Sequence, residues 1–154
     1  PDPSGRGTET LKQGSFMIGI VIVTHGQLGG VLIDTAATIF NECPASVAAV
    51  SIDLTDDVNK LRNKIQNGIQ SVNQNEGIII LTDMFGGTPS NLSYSFLEEG
   101  KIEVISGVNL PILIKAVNLR NREKHLPVLA KTIETYGKKS ITLASDILKG
   151  NKRG

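Results

Sequence analysis

The stretch MIGIVIVTHG, residues 17–26, decides the fold of this chain. It opens with a short apolar run, rich in β-branched side chains and without polar alternation. Such runs are typical of strands buried on both faces, as in a parallel sheet covered by helices. The run predicts a first strand over residues 17–23. Thr24-His25-Gly26 is expected to end that strand where the chain returns to the surface.

Apolar runs and helical patterns alternate along the rest of the chain. Further strands are predicted over residues 47–52, 77–81, 101–106 and, short and last, 140–144. Helices are predicted over residues 29–40, 57–72, 88–97, 111–119 and 126–136. This alternation is typical of βαβ units. We therefore expect an α/β fold, doubly wound, with a mostly parallel central sheet and helices on both faces.

Composition narrows the class of protein. The 154 residues suit a single domain, and 16 basic against 15 acidic residues give a net charge of +1. A balance so close to neutral gives no reason to expect nucleic acid as a partner. No apolar run approaches the roughly 20 residues that span a bilayer, so no direct membrane insertion is expected. The lone Cys43 excludes an internal disulfide and suits a reduced, cytoplasmic setting.

The two ends of the chain differ from its middle. Residues 1–16 are polar and are expected to be a disordered leader or an expression remnant, with Met17 as the natural start. Residues 149–154 form a basic tail that is expected to face solvent. The folded domain is therefore predicted to occupy residues 17–148.

Two residues that carry chemistry follow apolar strands. His25 follows the first strand and Asp83 follows the third. Ligands of doubly wound sheets bind beyond the carboxyl ends of the strands, where neighbouring loops meet. A neutral imidazole is a good nucleophile near neutral pH, and a carboxylate can fix its tautomer. We therefore predict His25 as the catalytic nucleophile and Asp83 as the residue that orients it.

A glycine-rich loop after Asp83 supplies a candidate anion site. Gly86 and Gly87 allow backbone N–H groups to converge, and the start of a helix adds partial positive charge. Thr88 is predicted either to cap that helix or to bind a phosphoryl oxygen, with Pro89 as the first helical residue. Together with Thr24, these residues are the predicted phosphoryl-binding set.

Other polar residues carry weaker signals. His125 lies in a polar stretch and is expected to face solvent, as are Arg120 and Arg122, which could also flank a partner interface. No pattern gathers three metal ligands of one type. No metal ion and no cofactor is expected.

Three motifs together resemble one family. THG at residues 24–26, DMFGGTPSN at 83–91 and ISGVNLP at 105–111 are similar, in order and strand context, to those of the IIA domain of the mannose-family sugar phosphotransferase system. The resemblance covers residues 17–148. Two departures are that Phe85 stands where tryptophan is common, and that no IIB domain follows within the 154 residues.

The resemblance implies a function. His25 would accept a phosphoryl group from the phosphohistidine of the general carrier protein and donate it to a IIB component for sugar uptake. Asp83 would orient His25, and Thr88 matches a hydroxyl position near the phosphoryl group. Members of the family are homodimers in which a terminal strand joins the partner's sheet, so residues 140–144 would be the exchanged antiparallel strand.

Three other functions remain open at this point. In a stand-alone regulatory phosphorelay, the about −1.5 to −2 charge of a phosphoryl group on His25 would control which partner binds. A histidine phosphatase would need an arginine where Thr24 stands, to clamp the phosphoryl oxygens. A flavodoxin-like binding domain would need a Ser/Thr-rich phosphate loop after the first strand, and Thr24-His25-Gly26-Gln27 does not provide one.

Overall fold

The computed structural model describes residues 16–150. The predicted leader, apart from Phe16, and most of the basic tail lie outside these residues. The strands are β1 (Gly19–His25), β2 (Val47–Ile52), β3 (Ile78–Thr82) and β4 (Ile102–Ser106). The helices are α1 (Leu28–Phe40), α2 (Val58–Val72), α3 (Thr88–Tyr94), α4 (Leu110–Leu119), α5 (Leu126–Lys139) and α6 (Ala144–Leu148).

The four strands form one parallel sheet in the order β2-β1-β3-β4. The chain starts in the interior of the sheet, moves to one edge, and returns across β1 to the other side. The strand order reverses beside β1, which is where a doubly wound sheet opens its crevice. The predicted α/β class and its parallel sheet are confirmed.

Residues of β1 alternate between two separate cores. Ile20 and Ile22 pack with α1, α4 and α5 on one face of the sheet. Val21 and Val23 pack with α2 on the other face. Since side chains of a strand point alternately to opposite faces, an unbroken apolar run is what a sheet covered on both sides requires. The same run therefore fixes β1 as a central strand.

Two of the six described helices, α2 and α4, begin with a side-chain cap. The Asp57 carboxylate caps α2 by accepting the N–H of Lys60 at 2.9 Å. Asn109 does the same for α4, accepting the N–H of Ile112 at 2.9 Å. Each side chain satisfies a backbone donor that the first turn of a helix leaves without an intrahelical acceptor.

Several boundaries differ from the prediction, and two of them lie near the carboxyl ends of the strands. Strand β1 continues to His25, because Thr24 and His25 still pair with Ser51 and Ile52 of β2. Helix α3 ends at Tyr94 rather than at residue 97. Residues 95–97 follow it in tighter turns, each N–H bonding to the carbonyl three residues earlier.

The predicted fifth strand is absent from the described chain. Residues 141–143 have no regular secondary structure and pair with no strand, although Leu143 is extended. Ala144 already begins helix α6, so the strand boundary at Ala144 was wrong. A strand needs a neighbouring sheet edge to bond to. Within one chain, residues 141–143 do not reach such an edge, and their exchange into a partner's sheet stays a prediction.

Arg120, expected on a solvated loop, is instead buried, with 2% of its surface exposed. Its guanidinium donates to the carbonyls of Ile18 at 3.0 Å, Ser46 at 3.2 Å and Ala45 at 2.5 Å. Burial lowers the pKa of Arg120 to about 10, so the group stays charged at neutral pH. It ties the end of α4 to the segments that lead into β1 and β2.

Candidate functional site

The site lies where β1 and β3 end side by side. The two strands are hydrogen-bonded neighbours, with Val23 opposite Thr82. His25 and Asp83 therefore come from adjacent positions on the carboxyl edge of the sheet. They are 58 residues apart in sequence, and only the parallel crossover from β1 to β3 brings them together.

Asp83 holds His25 at two points. One carboxylate oxygen, Oδ2, accepts the backbone N–H of His25 at 2.8 Å and contacts the ring nitrogen Nδ1 at 2.7 Å. The other oxygen, Oδ1, accepts the backbone N–H of Met84 at 2.9 Å. The carboxylate side chain is 11% exposed and the imidazole 39% exposed. The acid is thus sheltered, while the ring reaches solvent.

The contact with Asp83 selects the tautomer of His25. A carboxylate only accepts hydrogen bonds, so Nδ1 must carry the proton that is shared with Oδ2. In the neutral ring the lone pair then lies on Nε2. Nε2 has no hydrogen-bond partner among residues 16–150, and it is the nitrogen available for chemistry.

Two opposing effects act on the Asp83 carboxyl. Burial raises the pKa of Asp83, because it disfavours the charged form. Hydrogen bonds from the backbone and ring of His25, the charge of that ring, and the N–H of Met84 all act in the other direction. Their sum holds the pKa of Asp83 below its ordinary value. Asp83 is therefore an anion at neutral pH and a permanent acceptor for Nδ1.

The glycine loop runs directly past the imidazole. A side-chain carbon placed on Gly87 would lie 3.0 Å from Cε1 of His25, closer than such carbons normally approach. Gly86 has a φ of +91°, a conformation that favours glycine. The backbone N–H groups of Gly86, Gly87 and Thr88 make no hydrogen bond within residues 16–150. They are available to an anion placed next to His25.

Thr88 is not the cap of α3. Gly87 occupies the cap position with no side-chain hydrogen bond, and Thr88 is the first helical residue, followed by Pro89. The prediction of Thr88 as N-cap was therefore wrong, because the extended conformation of Gly87 already starts the helix. The half-buried Thr88 hydroxyl has no partner among the described residues, so it is not committed to a cap.

Thr24 does not face the site. It is fully buried, and its hydroxyl accepts the backbone N–H of Gly29 at 3.0 Å. A buried hydroxyl engaged with the first turn of α1 is not accessible to a phosphoryl group in this conformation. The Thr24 hydroxyl thus supports the turn that follows His25, and a phosphoryl-binding role for Thr24 stays a prediction.

The surface beside His25 is open, and exposed apolar side chains lie on the adjoining segments. A cleft of about 520 Å³ runs from His25 along the end of β2. Four large apolar side chains on the adjoining loops and first helical turn are 45% to 78% exposed: Leu28, Leu54, Met84 and Phe85. Exposed apolar groups that cluster around one polar group mark protein interaction surfaces.

Sequence reasoning missed a cluster of four hydroxyl groups behind the loop. Thr82 Oγ1 lies 2.5 Å from Ser90 Oγ and 2.9 Å from Ser106 Oγ. Ser90 and Ser106 are 3.1 Å apart, and the Tyr94 hydroxyl is 3.0 Å from Ser106. One signal was present: Thr82 and Ser106 are polar residues at the ends of two apolar strands.

The remaining polar candidates lie elsewhere. His125 is exposed and precedes α5, where its backbone N–H bonds to Glu123. Its neighbour Leu126 packs beside Gly77, at the amino-terminal ends of the strands, whereas His25 lies at their carboxyl ends. No three His, Cys, Asp or Glu side chains among residues 16–150 are grouped to hold a metal ion. No helix in that part of the chain is long and apolar enough to cross a membrane.

Comparison with protein families gives a match to the EIIA-man model, described as the PTS system fructose IIA component, over residues 19–133. The chain is 29% identical over 135 residues to the PTS system fructose-specific EIIA component of Bacillus subtilis, covering 86% of this chain and 90% of that protein. It is also 29% identical over 120 residues to the PTS system mannose-specific EIIAB component of Escherichia coli. That match covers 77% of this chain and 37% of that protein.

Solved structures of phosphotransferase-system IIA components have a similar fold. The phosphotransferase system component EIIA from Streptococcus agalactiae superimposes with a TM-score of 0.74 at 29% identity, covering 84% of this chain and 98% of that one. A PTS IIA protein associated with the fucose utilization operon of Streptococcus pneumoniae gives a TM-score of 0.74 at 21% identity, covering 88% and 98%. The latter likeness concerns the fold alone.

Proposed function

Because the chain belongs to the EIIA-man family of phosphotransferase-system IIA components, we propose that His25 is its phosphoryl carrier. In this proposal His25 accepts a phosphoryl group from the phosphohistidine of the general carrier protein and donates it to a IIB component. Family membership implies phosphoryl transfer in sugar uptake. The observation that carries the assignment to His25 is its double contact with Asp83, which leaves Nε2 free.

The transfer step is a substitution at phosphorus. The Nε2 lone pair of His25 attacks the phosphorus atom, the new N–P bond forms, and the bond to the donor imidazole breaks with its electron pair returning to the donor nitrogen. Nδ1–H stays bonded to Asp83 throughout, so the carboxylate stabilises the positive charge that the ring acquires. Donation to the acceptor runs through the same steps in reverse.

The loop after Asp83 is suited to the phosphoryl group. A phosphoryl group carries a charge of about −1.5 to −2 and needs hydrogen-bond donors around it. Gly86, Gly87 and Thr88 offer backbone N–H groups that have no acceptor among residues 16–150, and the Thr88 hydroxyl has no partner there either. These three residues constitute the proposed phosphoryl-binding set, and no metal ion is required by it.

Protein partners fit the exposed surface around His25. A small-molecule substrate would favour an enclosed pocket. The cleft beside His25 is open, and Leu54 in its lining is exposed. Leu28, Met84 and Phe85, which follow the two strand ends of the site in sequence, are exposed as well and with Leu54 form an apolar rim. Both the donor and the acceptor are therefore proposed to dock on this rim.

A homodimer is proposed from the open edge of the sheet. Strand β4 has no neighbouring strand on its outer side in the described chain, where only Glu98 bonds to it, at Ile102. A groove of about 610 Å³ lies between β4 and α5. Ile141 and Leu143, in the segment between α5 and α6, are 79% and 64% exposed. Both features suit exchange of this segment between two copies.

Labelling with phosphoenolpyruvate tests the proposal. The chain is incubated with phosphoenolpyruvate, the first enzyme of the system and the general carrier, and acid-labile, base-stable label is measured. Wild type and a His125→Ala control are expected to be labelled, and His25→Ala is not. Addition of a IIB component should then remove the label. Label that persists on His25→Ala would overturn the assignment.

A further inference from the structure

From the hydroxyl cluster we infer that Ser90 is a positioning residue for phosphoryl transfer, an inference that rests on the proposed function of His25. The cluster comprises Thr82, Ser90, Tyr94 and Ser106. Ser90 is fully buried, and its hydroxyl donates to the carbonyl of Met84 at 2.5 Å. Met84 is the residue that joins Asp83 to the glycine loop.

Met84 is held on both sides of its backbone. Its N–H donates to Oδ1 of Asp83 at 2.9 Å, and its carbonyl accepts from Ser90. The side chain of Met84 is 54% exposed and contributes little anchorage. The loop is therefore fixed at its start by the acid that orients His25 on one side, and by a hydroxyl of α3 on the other.

The same cluster also holds the next loop residue. The ring of Phe85 contacts the ring of Tyr94, with centroids 6.2 Å apart, and the Tyr94 hydroxyl lies 3.0 Å from Ser106. Ser106 in turn contacts Thr82 and Ser90. The cluster therefore contacts the loop at two places, at Met84 through Ser90 and at Phe85 through Tyr94.

The loop that the cluster holds lies next to the ring of His25 at Gly87. The backbone of Gly87 passes close to Cε1 of His25. Gly87 follows Met84 by three residues in the same loop, so in this inference its position depends on the conformation set at Met84. A shift of about 1 Å in a positioning group can cost about a hundredfold in rate. Without the Ser90 hydroxyl, the Met84 carbonyl loses its donor, and the loop can leave the conformation that presents its N–H groups beside His25.

A matched control lies in the same helix. Ser93 is also fully buried, but its hydroxyl donates to the carbonyl of Pro89 at 2.7 Å, within α3. Ser90→Ala and Ser93→Ala therefore remove the same group at the same burial, and only the first releases the loop. Thr82→Val and Thr82→Ser form a second pair, which loses or keeps a hydroxyl of the cluster.

The test measures transfer from the phosphorylated general carrier at increasing donor concentration. Ser90→Ala should lower the maximal rate about tenfold with an unchanged half-saturating concentration, because the docking side chains are retained. Ser93→Ala and Thr82→Ser should stay near wild type, and Thr82→Val should lose rate as Ser90→Ala does. Wild-type maximal rates in Ser90→Ala and Thr82→Val, or an equal loss in Ser93→Ala, would overturn the inference.

A second readout separates this inference from the proposed function. Backbone order parameters of residues 84–88, measured by NMR on the unphosphorylated protein, should fall in Ser90→Ala and not in Ser93→Ala. Unchanged order parameters in Ser90→Ala would contradict the inference even if His25 carries phosphate. Failure of wild type to accept phosphate would overturn the proposed function alone. If Ser90→Ala does not fold, Thr82→Val and the half-buried Tyr94→Phe supply both readouts.

Discussion

At the scale of single residues, the site depends on one carboxylate with two functions. Asp83 satisfies the backbone N–H of His25, which continues the strand into the loop, and it also contacts the ring that does the proposed chemistry. Position and tautomer of His25 are therefore set by the same side chain. Any change at Asp83 acts on the local backbone and on Nε2 together.

Asp83→Asn tests this double function. An amide has one accepting oxygen where the carboxylate has two, so either His25 or Met84 meets an NH₂ group in place of an acceptor. We expect transfer to His25 to fall by about ten- to a hundredfold, as for other changes of an orienting partner, while the variant stays folded. The rate of labelling from the phosphorylated carrier measures this. A wild-type rate would show that Asp83 does not orient the ring.

The lowered pKa of Asp83 predicts that Asp83→Asn also changes how the free energy of unfolding depends on pH. Because the folded protein holds this pKa below its ordinary value, the unfolded chain binds more protons at acid pH. The stabilisation is complete above the unfolded pKa, near 3.8, and is lost as pH falls through the folded pKa. In urea unfolding from about pH 6 to about pH 2, roughly two units either side of the unfolded pKa, the free energy of unfolding should therefore fall less steeply with decreasing pH in Asp83→Asn than in wild type.

The sequence predicted the pair but not its geometry. His25 and Asp83 could be matched because both follow apolar strands that lie side by side in a doubly wound sheet. The sequence held no signal that Thr24 is buried under α1, since a threonine beside a histidine is equally compatible with exposure. The capping role of Thr88 failed for a related reason: an extended glycine can cap a helix without any side chain.

At the scale of elements, the loop between β3 and α3 carries two glycines with different requirements. Gly86 needs glycine for its positive φ, and no atom lies within 4 Å of an added side-chain carbon. Gly87 has an ordinary backbone conformation, but its added carbon would meet His25. One glycine therefore serves the conformation of the loop, and the other leaves room for the imidazole.

These requirements predict opposite effects of two alanine substitutions. Gly86→Ala should lower the free energy of unfolding by about 1 kcal/mol, because a left-handed conformation strains any side chain, and should affect transfer less. Gly87→Ala should lower the transfer rate about tenfold by displacing the ring, with a smaller change in stability. Urea unfolding and labelling rates of both variants check this. Parallel losses in the two variants would contradict the assignment.

The hydroxyl cluster could not be predicted from the positions of the helices and strands in the sequence. Thr82, Ser90, Tyr94 and Ser106 come from two strands and one helix. Ser90 and Ser106 lie in two of the motifs that carry the family resemblance, but the motifs do not show that the four hydroxyl groups meet. Thr82 and Ser106 are register partners in β3 and β4, which a correct strand alignment could have shown. The place of Ser90 and Tyr94 depends on how α3 lies across the strand ends, and side-chain periodicity does not determine this for a helix of 7 residues.

At the scale of the whole molecule, both edges of the sheet lack a further strand in the described chain. Strand β2 lies at one edge and β4 at the other. The groove beside β4 extends to Phe85 on the loop of the site and to Ile141 after α5. A second copy that fills this groove would therefore lie next to the residues that hold the loop, so assembly and transfer are expected to be linked.

Ile141→Asp tests that assembly. If residues 140–143 exchange between copies, the wild type has twice the chain mass of 16.5 kDa, and a charge at Ile141 should give a monomer, because a buried unpaired carboxylate is costly. Ile39→Asp is the control, since Ile39 is 54% exposed on α1, which packs against β1 and β2. Light scattering after gel filtration measures the mass. A monomeric wild type, or equal behaviour of both variants, would exclude the exchanged segment as the interface.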